Sequence, residues 1–239
     1  MEKIIFKADS RGFADHGWLK SYHTFSFANY YNPERIHFGA LRVINDDRVA
    51  GGAGFGTHPH DNMEIVSIPL AGSLAHKDST GNEEVIKTND VQIMSAGTGL
   101  RHSEYNGSKT EEVNFLQIWV FPKVRDIQPR YEQKTFEPAA RVNQWQTVVS
   151  PNKNSGGVWI NQDAFFSLAT LENGKSLSYS RQLEGNGLYL FVLEGDVKSQ
   201  GETLHRRDAI AVTEVAELTI EASADAQLLL MEVPMELNF

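Results

Sequence analysis

Short runs of β-branched and aromatic residues, bounded by Gly, Asn, Asp and Pro, recur along the whole chain. In the first half these runs are Leu41–Ile44, Glu64–Ile68, Val91–Met94 and Phe115–Phe121. In the second half they are Leu188–Leu193, Ala209–Val212, Glu217–Ile220 and Gln227–Met231. Runs of this length, separated by frequent turn signals, predict an all-β protein built as antiparallel sandwiches or barrels.

The two halves of the chain also share local patterns. Leu70–Leu74 matches Leu193–Val197 around a central glycine, and Thr88–Ile93 matches Arg206–Ala211 around an aspartate. Gly and Asp recur at turns in any β protein, so chance similarity is the alternative. We predict two β-barrels in tandem: residues 1–125, then a polar connector over 126–157 that can add strands of its own, then residues 158–239.

Composition excludes several classes of protein. The 31 acidic and 22 basic residues give a formal net charge of −9, and the longest basic runs, Lys123–Arg125 and His205–Arg207, are short. Direct nucleic-acid binding is therefore not expected. The absence of cysteine rules out disulfides and thiolate ligands, so any metal must be held by His, Asp or Glu. No apolar stretch fits a signal peptide or a membrane span, which predicts a cytoplasmic protein without membrane contact, and we expect a monomer.

Histidine is concentrated in the first half, where seven of the eight residues lie at or before position 102. His58 and His60 are two residues apart, so on a strand both imidazoles point to the same side. After a turn at Gly97 and Gly99, His102 and Glu104 share a strand face in the same way.

Each of these pairs, taken alone, is more typical of surface or core packing than of a ligand pair. Together they offer three nitrogens and one carboxylate oxygen to a single ion, which fits an open catalytic site better than a closed structural zinc site. Glu64 follows His60 by four residues and is either an alternative ligand or a neighbour of the site. We interpret His16, His23 and His76 as hydrogen-bonded structural histidines or as neighbours of the metal ligands, in preference to ligands.

These segments resemble the cupin motifs. Gly52, His58, His60, Glu64 and Gly72 follow the first motif, with one extra residue before Gly72. Gly99, His102 and Asn106 follow the second, with Gly97 where the superfamily usually has proline.

The resemblance to the pirin family within the cupins is more specific, and it runs in order over the first 120 residues or so. It is carried by Arg11–Leu19, His23–Tyr31, Leu41–Asp47, His58–His60, His76–Gly81 and Gln92–Gly97. It implies a bicupin fold with one divalent metal, iron(II) being expected, although Zn, Mn, Co, Ni and Cu also accept such donors. The implied metal ligands are His58, His60, His102 and Glu104.

In the second half the resemblance holds only in outline. The implied alignment places Ser180 and Gln182 where His58 and His60 stand, and Ile220 at the position of His102. The C-terminal barrel is therefore expected to lack metal ligands and to be structural.

The activity implied by the resemblance is that of a quercetin 2,3-dioxygenase, which opens the ring of a flavonol with dioxygen and releases carbon monoxide. Glu104 or Glu64 would accept the proton of the substrate hydroxyl. The aromatic substrate is expected to bind in a barrel mouth flanked by Phe25, Phe27, Phe38 and Phe55. The alternative is a non-enzymatic iron or redox sensor that binds a protein partner, as nuclear pirins do in transcriptional regulation.

Overall fold

Strands account for most of the computed structural model, which describes residues 2–237. The first eleven strands are β1 (Lys3–Phe6), β2 (Gly12–Asp15), β3 (Leu19–His23), β4 (Leu41–Val49), β5 (Gly54–His60), β6 (Glu64–Ala71), β7 (Ser73–Asp78), β8 (Glu83–Lys87), β9 (Asp90–Ser95), β10 (Leu100–Asn106) and β11 (Val113–Val120). The others are β12 (Arg130–Thr135), β13 (Gln146–Ser150), β14 (Val158–Trp159), β15 (Phe165–Leu171), β16 (Ser176–Ser180), β17 (Asn186–Glu194), β18 (Val197–Ser199), β19 (Glu202–Leu204), β20 (Ala209–Val212), β21 (Glu217–Ala222) and β22 (Ala226–Pro234). Two short 3-10 turns cover Ala8–Ser10 and Pro138–Arg141.

The strands form two barrels, each made of one large and one small sheet. The first barrel has the sheet orders β12-β9-β6-β11-β4-β3-β2 and β5-β10-β7-β8. The second has β1-β20-β17-β22-β15-β13-β14 and β16-β21-β18-β19, which repeats the first plan position by position. Gly72 and Gly195 take the same left-handed conformation at the matching turn, with φ of 77° and 84°. The predicted tandem all-β fold and its internal repeat are confirmed.

The two barrels exchange edge strands. At the start of the chain, β1 pairs with β20 in the second barrel, with Ile5 opposite Ile210. In return, β12 from the connector pairs with β9 in the first barrel, with Gln133 opposite Gln92. The domain limits stay a prediction. Because of the exchange, each barrel contains an edge strand that comes from outside its own predicted range of residues.

Apolar packing differs between the barrels. The two large sheets share a core that joins Ile44 and Leu116 to Phe166 and Tyr189. Within the second barrel, a further cluster of 16 buried apolar residues fills the interior, whereas the described residues of the first barrel form two smaller clusters, of six and of four. The interior of the first barrel therefore keeps space and polar side chains, which is where the histidines lie.

A buried ion pair also joins the barrels. Arg207 Nε donates to Asp46 Oδ2 at 2.9 Å, and the side chains are 4 % and 6 % exposed. Both Arg207 and the nearby Arg11 hold the pKa of Asp46 below its usual range, although burial acts to raise it. Among residues 2–237, no helix has the length and apolar character needed to cross a membrane.

Candidate metal centre and its cavity

Adjacent strands β5 and β10 bring the predicted histidines together. His58 lies directly opposite His102, and His60 lies opposite Leu100 at the end of the ladder. The ring centroids are 4.5 Å apart for His58 and His102, 4.8 Å for His58 and His60, and 4.9 Å for His60 and His102. One nitrogen of each imidazole lies within 4.8 Å of the others. The three side chains thus converge on one point, as the two-residue spacing predicts.

The protonation state of His60 and His102 suits metal binding. Burial, and after it the neighbouring imidazoles, lower the pKa of His102 to about 3 and that of His60 to about 4. His58 Nδ1 lies 2.8 Å from the carbonyl oxygen of Gly56, which selects the tautomer whose lone pair is on Nε2. At neutral pH, His60 and His102 are therefore neutral imidazoles, the form that binds a metal.

His102 provides a direct test of whether the donor set fits a metal. Its side chain is buried, and neither ring nitrogen has a hydrogen-bond partner within the described residues. Buried polar atoms without partners are rare in native proteins, and each requires a physical explanation. A divalent ion bound by the three imidazoles accounts for one of these nitrogens and for the convergence of the rings. The side chains at this site therefore fit a bound divalent metal ion.

Glu104 is buried on the cavity side of β10. Its Oε2 accepts a hydrogen bond from Gln117 Nε2 at 2.7 Å, and its Oε1 accepts one from Ser67 Oγ at 3.2 Å. A register shift between His102 and Glu104 interrupts the pairing of β10 with β5, so Glu104 faces Phe55. The four-ligand set itself stays a prediction.

His76 lies beside Glu104 and His102. The three side chains form a second group whose ligand atoms lie within 4.8 Å of one another. His76 Nε2 is 3.2 Å from Asp78 Oδ2, and its ring packs against Tyr131 with centroids 4.8 Å apart. Its hydrogen bond agrees with the structural role expected from the sequence, but its position next to two predicted ligands could not be read from the spacing.

Glu64 lies away from the histidines, on β6 near the second barrel. Its Oε2 accepts hydrogen bonds from Ser95 Oγ at 2.8 Å and from the backbone N–H of Asn161 at 3.1 Å. Burial raises its pKa to about 7 despite these bonds. It is not among the residues that line the cavity described next, so the geometry favours Glu104 over Glu64 as the functional carboxylate.

A cavity of about 450 Å³ opens beside the histidines. Its aromatic wall is formed by Phe13, Phe27, Tyr30, Phe55 and Trp119. Trp119 packs edge-on against His60, with centroids 4.9 Å apart, and against Phe27, at 5.4 Å.

The sequence-based expectation for this wall was correct for Phe27 and Phe55 and wrong for two other phenylalanines. Phe25 and Phe38 are buried in the core between the large sheets, where both rings contact Tyr189. They lie in the loop between β3 and β4, and the composition of that loop does not reveal which phenylalanines turn towards the core.

Polar residues that the sequence did not single out complete the cavity. They are Ser21, Asn45, Asp47 and Gln117, and they are joined by His16 and His23. Asp47 is fully buried and accepts a hydrogen bond from Ser21 Oγ. Burial, together with the charges of Asp46 and Glu104, raises its pKa to about 7. Single Ser, Asn and Asp residues in strands carry no distinctive signal, and only the pairing of β3, β4 and β11 reveals that they belong together.

The matching place in the second barrel has different chemistry. Ser180 faces Glu217, and Ile220 faces Leu177. The sequence alignment of Ile220 with His102 and of Ser180 with His58 is therefore wrong in register, because those two residues do not face each other as the histidines do. Within the described residues, both groups with metal-ligand geometry lie in the first barrel.

Comparisons with known proteins agree with this geometry. The family model for Pirin matches residues 6–120, and the model for the quercetinase C-terminal cupin domain matches residues 147–233. A protein of Escherichia coli named quercetin 2,3-dioxygenase is 44 % identical over 230 residues, covering 95 % of this chain and 97 % of that protein. A pirin-like protein of Caulobacter vibrioides is 40 % identical, covering 94 % of this chain and 96 % of its own length.

Solved structures show the same relationship. The bacterial pirin YhhW of Escherichia coli in complex with nickel(II) superposes with a TM-score of 0.92 at 41 % identity, covering 98 % of this chain and 99 % of that one. A quercetin 2,3-dioxygenase of Acinetobacter baumannii has a TM-score of 0.76 at 20 % identity, covering 96 % of this chain and 85 % of that one, and shows the fold alone.

Proposed function

The chain belongs to the pirin family, and from this premise we propose that it is a dioxygenase of the quercetin 2,3-dioxygenase type. A relative from Escherichia coli carries that name and matches almost the full length of the chain. The observation that carries the proposal is a cluster of three converging imidazoles that opens into an aromatic cavity. We further propose that one divalent metal, iron(II), is held by His58, His60, His102 and Glu104.

The donor set supports a catalytic ion more than a structural one. A six-coordinate ion such as iron(II) would keep two positions for substrate beside three imidazoles and a carboxylate, whereas a structural zinc ion is four-coordinate and is closed by its four protein ligands. A divalent metal bound here supplies Lewis acidity, which lowers the pKa of a coordinated hydroxyl, and a redox-active one also supports chemistry with dioxygen. The nickel(II) complex of YhhW supports the binding of a divalent ion in this family, and iron(II) is our proposal for this chain.

The protein's part in the reaction is to bind the flavonol, orient it and move one proton. Glu104 lies at the cavity wall with Gln117 and Ser67 hydrogen-bonded to its two oxygens. These bonds fix the carboxylate in place and leave lone pairs free, so Glu104 can accept the proton of the flavonol 3-hydroxyl.

The cavity suits a flat aromatic molecule. Its volume of about 450 Å³ falls within the range of sites for small ligands. Phe27 and Trp119 meet edge to face, and Phe55 lines the side towards β5. This apolar wall excludes water around the reacting ring and holds it beside the histidines.

The experiment is anaerobic incubation of iron-loaded protein with quercetin, followed by admission of air. We expect the flavonol to be consumed, as measured by the loss of its absorbance, and carbon monoxide to be released in an equal molar amount. His58→Ala and Glu104→Gln should each lower kcat/KM by at least about 100-fold, and His58→Ala should also lose bound iron. His205→Ala is the matched control, because His205 is an exposed histidine of the second barrel paired with Asp196.

Retention of iron without carbon monoxide from any flavonol would contradict the proposal and would favour the sensor alternative. If Glu104→Gln were as active as the parent, Glu104 would not be the group that accepts the proton. Metal analysis of protein from cells grown without added metal tests the assignment of iron, and a dominant content of another metal would overturn that part alone.

A further inference from the structure

The mouth of the second barrel contains a cavity of its own, of about 370 Å³. Residues of β13 and β15 in the large sheet and of β16 in the small sheet line it. In the repeated sheet order these strands take the places of β3, β4 and β5, which line the cavity of the first barrel. The two cavities therefore occupy the same place in the repeated fold, and the second one also falls within the size range of small-ligand sites.

One aromatic contact is repeated in the two barrels. Trp18 directly precedes β3 and packs edge-on against Phe55 of β5, with ring centroids 5.3 Å apart. Trp145 directly precedes β13 and packs edge-on against Tyr179 of β16, with centroids 5.7 Å apart. Trp145 Nε1 also donates a hydrogen bond to the backbone carbonyl of Ser178 at 3.0 Å. The indole of Trp145 is thus held in one orientation beside the cavity that it lines.

The cavity of the second barrel is accessible from solvent. Five of its lining residues are exposed, and Trp145, Thr147 and Phe165 are half-buried. Two of the exposed residues have side-chain atoms that form no hydrogen bond within the described residues: Asn152 Nδ2, which is a donor, and Gln182 Oε1, which is an acceptor. A ligand that enters the cavity can therefore contact aromatic surface and hydrogen-bonding atoms together.

The lining of this cavity is neutral and rich in hydroxyl and amide groups. Among the eleven described residues that line it, eight are Ser, Thr, Asn or Gln and three are aromatic. None of these eleven is Asp, Glu, Lys, Arg or His, although Asp, Glu, Lys and Arg make up 22 % of the chain. A phosphate or carboxylate would meet no cation in this lining, and an ammonium group would meet no carboxylate. The lining instead matches a ligand with hydroxyl groups, which both donate and accept hydrogen bonds.

A carboxylate behind the wall strengthens the preference against anions. Glu232 is fully buried, and it accepts hydrogen bonds from the Tyr179 hydroxyl at 3.0 Å and from the backbone N–H of Gln182 at 2.8 Å. Leu183 N–H and Asn186 Nδ2 donate to its other oxygen. Because both oxygens are hydrogen-bonded inside the protein, Glu232 orders two lining residues and does not itself face a ligand.

A sugar has the two kinds of surface that this cavity matches. The C–H groups on one face of a sugar ring pack favourably on the electron-rich face of an aromatic ring. The hydroxyls project from the edge of the sugar ring and form hydrogen bonds with amides and other hydroxyls.

We propose that the mouth of the second barrel binds a neutral saccharide. Trp145 and Phe165 pack against a sugar ring. Thr147, Asn152 and Gln182 form hydrogen bonds with its hydroxyls. This site lies in a different barrel from the proposed metal and does not depend on the proposed dioxygenase function.

The test is titration calorimetry of the full chain with five neutral sugars: glucose, galactose, maltose, cellobiose and lactose. Glucose 6-phosphate is the anionic comparator. We expect at least one neutral sugar to bind with a Kd below about 5 mM, and glucose 6-phosphate to bind at least about 10-fold more weakly than the best neutral sugar.

Variants of the lining residues locate the bound sugar. Trp145→Ala should weaken the best neutral sugar by about 10-fold, and Trp145→Phe, which keeps an aromatic ring, should weaken it by about 3-fold. Thr147→Val keeps the shape of the side chain and removes its hydroxyl, so it should weaken binding by about 5-fold. Trp18→Ala removes the equivalent indole of the first barrel and is the matched control, which should keep the Kd of the parent.

Three results would each overturn the proposal. The first is that none of the five sugars binds with a Kd below about 5 mM. The second is binding of glucose 6-phosphate as tight as that of the best neutral sugar. The third is a Kd for Trp145→Ala within about 2-fold of the parent, since the sugar would then lie elsewhere. If Trp145→Ala does not fold, an unchanged Kd in both Trp145→Phe and Thr147→Val has the same meaning. The release of carbon monoxide from quercetin is measured separately, so each proposal can fail without the other.

Discussion

Asp47 offers a quantitative test of the electrostatics in the cavity. Replacing it with asparagine keeps the shape of the side chain and removes its ionisation. In the parent protein, burial raises the pKa of Asp47 from 3.8 to about 7. The folded state therefore holds a proton between about pH 4 and pH 7 that the unfolded chain has released.

The sign and size of the effect follow from this linkage. Because the native state binds more protons in that window, the free energy of unfolding of the parent falls as pH rises through it. Each pKa unit corresponds to about 1.4 kcal/mol, and about two units of the shift lie between pH 5 and pH 8. Asp47→Asn does not titrate, so its stability relative to the parent should rise by about 3 kcal/mol over that range.

The assay is urea unfolding of metal-free protein at pH 5, 6, 7 and 8, followed by tryptophan fluorescence at constant ionic strength. The quantity of interest is the difference in the free energy of unfolding between Asp47→Asn and the parent at each pH. Asp9→Asn, at an exposed aspartate, controls for the removal of a carboxylate from the surface. A difference that changes by less than about 0.5 kcal/mol from pH 5 to pH 8 would refute the reasoning, because it would mean that Asp47 is solvated or paired in the native state.

Three further substitutions test other parts of the structure. Glu64→Gln should keep the metal content of the parent by elemental analysis, and a loss of metal would show that Glu64 belongs to the metal site. In urea unfolding above pH 7 the variant should be more stable than the parent, because burial raises the pKa of Glu64 to about 7 and the parent then carries a buried charge. Gly97→Ala should cost more than about 2 kcal/mol, because φ is 48° and a Cβ would overlap a backbone carbonyl, whereas Gly81→Ala, with φ of 98° and open space, should cost less. Arg207→Met should cost about 3 kcal/mol by breaking the buried pair with Asp46, and Asp46→Asn in the same chain should recover part of the loss; additive losses would show that the pair is not coupled.

The convergence of the histidines was predictable because it rests on strand geometry alone. Side chains two residues apart share a face, and the pairing of β5 with β10 then places His58 opposite His102. The spacing could not show the register shift after His102. Nor could it show which residues of the facing sheet Glu104 meets, and they are Gln117 and Ser67.

The exchange of edge strands lay outside what the sequence could reveal. β1 is a four-residue strand, and its composition fits an edge of either large sheet. β12 is polar and half-buried, so the connector showed weak periodicity. Edge strands are selected by the partner that completes the sheet, and this choice depends on tertiary packing more than on local pattern.

The polar lining of the cavity could not be predicted for a related reason. His23 was interpreted as a hydrogen-bonded structural histidine or a neighbour of the site, and Asn45 was only one residue of the Leu41–Asp47 stretch that carries the resemblance. Their place in one cavity wall appears only after folding, because it depends on the pairing of β3 with β4 that sets them opposite each other.

The second barrel has a part in the site although its own matching positions carry no histidines. Successive side chains of β4 point to opposite faces of the sheet. Asn45 and Asp47 therefore line the cavity, while the side chain of Asp46 lies on the other face. Asp46 is held there by Arg207 of the second barrel at 2.9 Å and by Asn114 at 2.7 Å. The ion pair therefore fixes the strand that carries two of the polar residues in the cavity wall. Through it, the second barrel positions Asn45 and Asp47 in the cavity wall of the first barrel, which is a physical reason for the two barrels to remain together.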